Sequence, residues 1–221
     1  MSRRASSLSR HRSRERHQGN ERINVAFVVS PDANVMDLAG VWEVFQDTST
    51  GQGDDGRSPF RLYTVSDRAS PIAASGGLTI VPDYTLAEAP APQIISVGAQ
   101  RGSPEIHRWL EKSAGQVEVV MSVCTGAFQL ARAGLLEGRR ATTHHQYWES
   151  FLEEFPDVDL VRGRRFVDEG DILTAGGLTS GIDAALHVVA GLLDESVAKR
   201  TARYMEYQGD GWRTGEMPLA D

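Results

Sequence analysis

The sequence holds a single cysteine, Cys124. A lone cysteine is by default a small buried hydrophobe. Here it stands between an apolar run, Val117-Glu118-Val119-Val120-Met121-Ser122-Val123, and a helix-forming stretch from Ala127 to Ala133, with Thr125-Gly126 as the junction. Strand, cysteine, helix: that order puts the sulfur beside free helical N–H groups, which carry partial positive charge. Such positions favour the thiolate and lower a cysteine pKa from about 8.5 to roughly 3.5–7.5. Gly126 is expected to let the backbone turn sharply and to leave space above the sulfur. The arrangement parallels the serine nucleophile elbow, with sulfur for oxygen. Nucleophilic chemistry at Cys124 is the expectation, set against a core cysteine at a strand end.

Composition narrows what that thiol can serve. The chain has 221 residues, of which 40% are hydrophobic. That suits one α/β domain with a full core. No apolar run approaches the roughly 20 residues of a membrane span, so no membrane association and a cytoplasmic location are expected. One cysteine cannot close an internal disulfide, and no Cys/His cluster has zinc spacing; no metal and no cofactor are expected. The formal net charge is −7. Residues 1–20 carry six arginines and Glu15, a balance of +5, which leaves −12 on the remainder. An acidic body argues against non-specific nucleic-acid binding. Residues 1–21 have almost no apolar content and read as a disordered basic tail. Arg3-Arg4 lacks the apolar stretch that a twin-arginine export signal needs. A floppy tail or misjudged start is the plain reading, and a nucleic-acid-touching arm the other. Residues 22–221 read as a single domain.

The elements that must position the cysteine follow from apolar pattern. Ile23 to Val29 is almost wholly apolar, as in a strand buried on both faces. Leu38, Val41, Trp42 and Phe45 recur at helical spacing. Residues 48–59 read as a surface loop. Phe60 to Val65 alternates and reads as a strand, and Ser75-Gly76-Gly77 marks a hairpin. Gln93 to Val97 is a further strand and Glu105 to Ala114 a helix. Arg165–Val167 and Ile172–Ala175 bracket a hairpin turn. Gly176-Gly177 leads into a helix from Thr179 to Leu193, with Ser180 and Asp183 at capping-box-like spacing. A last helix runs from Ser196 to about Tyr207. This alternation predicts an α/β, doubly wound, mainly parallel sheet with helices on both faces. Ligands of such sheets gather at the carboxyl ends of the strands. Asp37, Gly98-Ala99-Gln100 and Cys124 all fall there.

Ser122-Val123-Cys124-Thr125-Gly126-Ala127-Phe128, followed by Ala133-Gly134-Leu135-Leu136-Glu137-Gly138-Arg139-Arg140-Ala141-Thr142-Thr143-His144, resembles the ThiJ/PfpI superfamily over residues 23–208. This group has a flavodoxin-like sheet and resembles class I glutamine amidotransferase domains. Asp37-Leu38-Ala39-Gly40 and the run from Thr174 to Asp183 look closest to the isocyanide hydratase branch. The same motifs occur in the sensor-like half of relatives with an AraC-type DNA-binding domain. The resemblance implies Cys124 as nucleophile and Asp37 as its acidic partner. It places Gly98 and Ala99 where a Gly-Gly pair is common, so Ala99 is a departure. It implies a backbone N–H from Thr125 and puts Gly177 and Leu178 at the pocket. It also implies a homodimer.

His144 lies 20 residues beyond Cys124. It reads as a structural histidine near the sheet end, with a part in the chemistry as the other reading. His107 and His187 are assigned to helix faces without function. The activity implied is hydration of a small-molecule isocyanide to an N-substituted formamide. Its rivals are a glyoxalase-type conversion of a reactive carbonyl and a non-enzymatic redox or ligand sensor. A carboxyl pKa raised by desolvation is expected at Asp37, so that it can carry a proton near neutral pH.

Overall fold

The computed structural model describes residues 22–50 and 57–216. The basic tail and the middle of the 48–59 loop lie outside the described residues. Strand β1 (Ile23–Val28) lies inside a seven-stranded sheet. Chain order gives α1 (Val35–Gln46), β2 (Phe60–Ser66), the short hairpin β3 (Ile72–Ala73) and β4 (Thr79–Ile80), then β5 (Tyr84–Thr85) and β6 (Ile94–Val97). There follow α2 (Pro104–Ala114), β7 (Val119–Val123), α3 (Gly126–Arg132), β8 (Arg140–Ala141), α4 (Trp148–Glu154) and β9 (Asp159–Leu160). The chain continues through β10 (Phe166–Asp168), β11 (Ile172–Ala175), α5 (Ser180–Leu192) and α6 (Glu195–Tyr204).

The sheet order is β10-β11-β7-β6-β1-β2-β5, parallel except where β10 meets β11. This is the flavodoxin-like, doubly wound arrangement expected. Both sheet faces are covered, and the period-2 alternation of each strand divides the core. Val25, Phe27, Met121 and Val123 face one layer, packed by residues of α1, α5 and α6. Ala26, Val28, Ile95 and Val120 face the other, with residues of α2, α3 and α4. That is why the strands read as near-continuous apolar runs.

After β1 the chain builds outward through β2 to β5, then returns to β1's other side as β6. The strand order reverses there, and a crevice opens at the carboxyl ends of β1 and β6. The loops bearing Asp37 and Gly98 leave from those ends.

Several boundaries differ from expectation. The last helix stops at Tyr204, with Glu206 in the left-handed region at φ 55°. Ser180 and Asp183 form no capping box: Thr179 is the N-cap and makes no side-chain cap bond. Asp183 is instead buried and paired with Arg165. Two-residue strands β5, β8 and β9 are too short to show a period, and α4 has only seven residues.

Candidate functional site

Asp37 reaches the crevice in the first turn of α1. Asn34 caps that helix, its Oδ1 accepting from Met36 N at 2.9 Å and Asp37 N at 3.2 Å. The same residue is tied to the loop after β6, since Asn34 N donates to the Ala99 carbonyl at 2.8 Å. Ala99 returns the contact: its N–H donates to Asp37 Oδ2 at 2.9 Å. The departure from Gly-Gly at Ala99 therefore leaves the N–H in place. Gly98 does need to be glycine, because a Cβ there would sit 2.9 Å from Asp37 Cβ.

Asp37 is 1% exposed. Burial raises its pKa to about 6, as expected. The N–H groups of Ala99 and Leu178 and the Cys124 thiol stabilise the charged form and oppose that rise. Oδ1 is buried without a well-formed hydrogen bond. It is the oxygen left for a proton or for a reacting group.

Cys124 follows β7 and takes a left-handed backbone, φ 58°. For a residue with a Cβ this costs about 1–3 kcal/mol and persists only where the surroundings enforce it. They do so on both sides. Cys124 N donates to the Gly176 carbonyl at 2.8 Å and the Ala175 carbonyl at 3.2 Å. Its own carbonyl accepts from Thr143 Oγ1 at 2.8 Å. The sharp turn is thus made by Cys124 itself. Gly126 serves the packing instead. A Cβ there would strike the Val97 carbonyl, so glycine lets α3 start against the end of β6. That corrects the role expected of Gly126.

The thiolate expectation is also corrected. Cys124 is 7% exposed, and burial pushes its thiol up to about 11, with the Asp37 charge adding to the effect. The Thr125 N–H and hydroxyl pull the other way and do not offset it. Desolvation outweighs the few N–H dipoles of a seven-residue helix. Cys124 and Asp37 act on each other, so they titrate as a pair.

Leu178 is the third wall. It too is left-handed, φ 53°, and 39% exposed, and its N–H favours the charged form of Asp37. Gly177 before it has no room for a Cβ, because the His144 ring fills that place. His144 caps a short turn, Nδ1 accepting from Gln146 N at 3.3 Å, and its ring stacks on His145 with centroids 4.4 Å apart. Burial, then His145, lower its pKa. The His144 ring packs against the Gly177 turn.

An open cleft of about 230 Å³ runs from Gln100 and Thr125 past Phe128 and Tyr147 to Arg132. Sequence reasoning missed its buried member, Gln129, which is 2% exposed. Gln129 Nε2 donates to the Gln100 carbonyl at 3.0 Å, and its Oε1 lies 2.8 Å from His107 Nε2. His107, assigned no function, belongs to this brace. The signal was a glutamine inside the apolar stretch Ala127–Leu130. Among the described residues, no group of three or more His, Cys, Asp or Glu could hold a metal ion. Nor is any described helix long and apolar enough to cross a membrane.

The pattern of the DJ-1/PfpI family matches residues 23–191. The chain belongs to that family. It is 30% identical over 193 residues to an isonitrile hydratase of Pseudomonas putida, covering 84% of this chain and 78% of that protein. It is 34% identical over 139 residues to the HTH-type transcriptional regulator GbdR of Pseudomonas aeruginosa, covering 61% of this chain and only 38% of the regulator. Among solved structures, a ThiJ/PfpI family protein from Pseudomonas syringae superimposes with a TM-score of 0.73 at 27% identity, over 86% of this chain and 76% of that one. DJ-1/PfpI relatives thus include both a lyase and regulators.

Proposed function

We propose that this DJ-1/PfpI protein is a cysteine-dependent isonitrile hydratase, a hydro-lyase that converts R–N≡C and water to R–NH–CHO. The observation that carries this reading is the buried Asp37 carboxyl set against the Cys124 thiol. Burial raises both the Asp37 carboxyl and the Cys124 thiol, so the pair keeps a proton between them near neutral pH. As sulfur bonds to the terminal isocyanide carbon, Asp37 takes the thiol proton and delivers it to that carbon. The product of this step is a thioimidate, R–N=CH–S–Cys124. Water then adds to the C=N bond, its oxygen to carbon and one proton to nitrogen. The C–S bond breaks as the C=O forms, and the hydroxyl proton returns through Asp37 to sulfur. No electrons are gained or lost, and no cofactor is needed. The Ala99 and Leu178 N–H groups hold the carboxyl in line, Thr125 offers its N–H to sulfur, and Gly98 and Gly177 leave the room that these contacts need. The similarity to the Pseudomonas putida hydratase supports the reading. Family resemblance extends it to a cytoplasmic homodimer acting on a small molecule, without nucleic acid.

The test is turnover of the purified protein against alkyl and aryl isocyanides, with methylglyoxal in parallel. Formamide formation that disappears in Cys124→Ser is the expected result. Turnover of methylglyoxal alone would move the assignment to a glyoxalase-type reaction. A second reading is favoured by the match to GbdR: a ligand or redox sensor, in which the wild type turns over neither substrate.

A further inference from the structure

The turn that carries Leu178 is held from behind by a buried ionic cluster. Asp183, in α5, is 1% exposed. Its Oδ2 accepts from Arg165 Nε at 2.6 Å and from the Tyr207 hydroxyl at 2.9 Å. Arg165 Nη2 also reaches Thr179 Oγ1 at 3.3 Å. The Arg165 carbonyl accepts from Gly176 N at 2.9 Å, and the Gly176 carbonyl accepts from Cys124 N at 2.8 Å. Two threads therefore run from Arg165 to the site. The main-chain thread passes through Gly176 to Cys124. The side-chain thread passes through Thr179 to its neighbour Leu178, whose N–H acts on Asp37.

Stability alone is a poor account of this cluster. A buried ion pair often contributes no more than apolar residues of the same volume. Here one oxygen, Asp183 Oδ1, is also buried without a partner. What the cluster does hold is a non-glycine residue at φ 53°, and such a backbone persists only where its surroundings over-determine it.

We propose that the Arg165–Asp183 pair is a positioning device for the reacting pair. It fixes the Gly176–Thr179 turn so that the Leu178 N–H stays on Asp37 and the Gly176 carbonyl stays on the Cys124 N–H. Neither Arg165 nor Asp183 touches substrate. The inference rests on the reading of Asp37 and Cys124 as the groups that react.

The sign of the effect follows from the contacts. Asp37 faces the N–H groups of Ala99 and Leu178 and one titratable group, Cys124. Asp183 faces Arg165 and Tyr207. An N–H donor favours the carboxylate, so a turn that slips away from Asp37 raises its titration midpoint.

The experiment is ¹³C NMR of protein labelled at Asp carboxyl carbons, titrated from pH 4 to 9, with Asp37→Asn used to assign the Asp37 resonance. This readout does not depend on turnover. The Arg165→Met/Asp183→Asn double variant removes both charges together, so neither is stranded. Its Asp37 midpoint is expected to rise by roughly one pH unit, and the acid limb of any isocyanide turnover should move with it. Tyr207→Phe removes a hydroxyl that bonds Asp183 and Arg165 Nη2, but it leaves the ion pair and the Arg165–Thr179 contact in place. It should lower the melting temperature and leave the Asp37 midpoint where it is. Equal shifts in the double variant and in Tyr207→Phe, or no shift in the double variant, would overturn the proposal. If the double variant does not fold, Thr179→Val decides, since it severs only the side-chain thread. A higher Asp37 midpoint there supports positioning, and an unmoved one rejects it. An ordinary carboxyl titration of Asp37 in the wild type would instead reject the reacting pair.

Discussion

Two turns close on Asp37 from opposite sides, and they are built differently. The turn after β6 presents the Ala99 N–H and is braced by an amide, Gln129, which links the Gln100 carbonyl to His107. The turn after β11 presents the Leu178 N–H and is braced by the charged pair of Arg165 and Asp183. In the first, Gly98 makes room for the Asp37 Cβ and Ala99 keeps an ordinary backbone. In the second, Leu178 is held left-handed. A neutral brace whose bonds are satisfied keeps an unstrained turn in place. A strained turn needs a brace whose failure costs more, and a buried charge pair is such a brace. The comparison separates a turn that is shaped by its own residues from one that is shaped by its neighbours.

The largest effect should come from removing what both turns hold. Asp37→Asn keeps the carboxamide in the same space and keeps an oxygen for the Ala99 N–H. Isocyanide turnover is expected to fall by roughly a hundredfold or more, the range of general acid catalysis. Stability should move the other way. The Asp37 pKa is raised from an ordinary value near 4 to about 6, so between those values the native state binds the extra proton. Stability therefore falls as pH rises through that window, and the cost is fully present above it. At pH 7–8 Asp37→Asn should be more stable than the wild type, by up to about 3 kcal/mol. At pH 4 the two should be nearly equal. Urea denaturation at both pH values checks this, and a variant less stable than wild type at pH 8 would mean that both turns need the charge.

Next come the braces themselves. Asp183→Ala leaves the half-buried Arg165 without its counter-ion, with only the Thr179 and Tyr207 hydroxyls as side-chain partners, and a loss of about 3 kcal/mol is expected. Gln129→Leu leaves the Gln100 carbonyl and His107 without a shared partner, with an expected loss of about 1–3 kcal/mol. Chemical denaturation at pH 7 orders the two. If Gln129→Leu cost more than Asp183→Ala, the contrast between neutral and charged braces would collapse.

The two turns also differ in how far the sequence discloses them. β1, β6 and β7 are apolar runs buried on both faces, so their carboxyl ends, and with them Asp37, Gly98 and Cys124, could be located from pattern alone. The braces could not. Arg165 meets Asp183 across 18 positions and Tyr207 across 42, and no local periodicity encodes such partners. Asp183 sat where a helix cap would place a short acid, so its spacing pointed to the wrong partner. The thiolate expectation failed for a related reason. The position of Cys124 at a strand–helix junction is local and legible, but its burial beside a second acid is set by three strands and two loops. Gly126 shows the same limit: its glycine answers to the Val97 carbonyl on the next strand, not to its own turn.

The smallest effect tests the strained turn directly. Leu178 adopts φ 53°, which a side chain disfavours by about 1–2 kcal/mol and glycine does not. Leu178→Gly removes that strain from the folded state. It also frees the unfolded chain, which offsets about 0.5–1 kcal/mol of the gain. Leu178 is 39% exposed, so only part of a leucine's apolar contact is lost. The net change in stability is expected to lie within about 1 kcal/mol of zero. The N–H remains, and the Arg165 cluster still holds Thr179, so the Asp37 midpoint should stay near 6. Matched urea melts and the carboxyl titration read both quantities. A stability loss above about 2 kcal/mol would show that the leucine side chain, rather than the backbone it strains, is what the turn was built to place. A midpoint that climbs while stability holds would show that stiffness at residue 178, and not the ionic brace alone, keeps the N–H on Asp37.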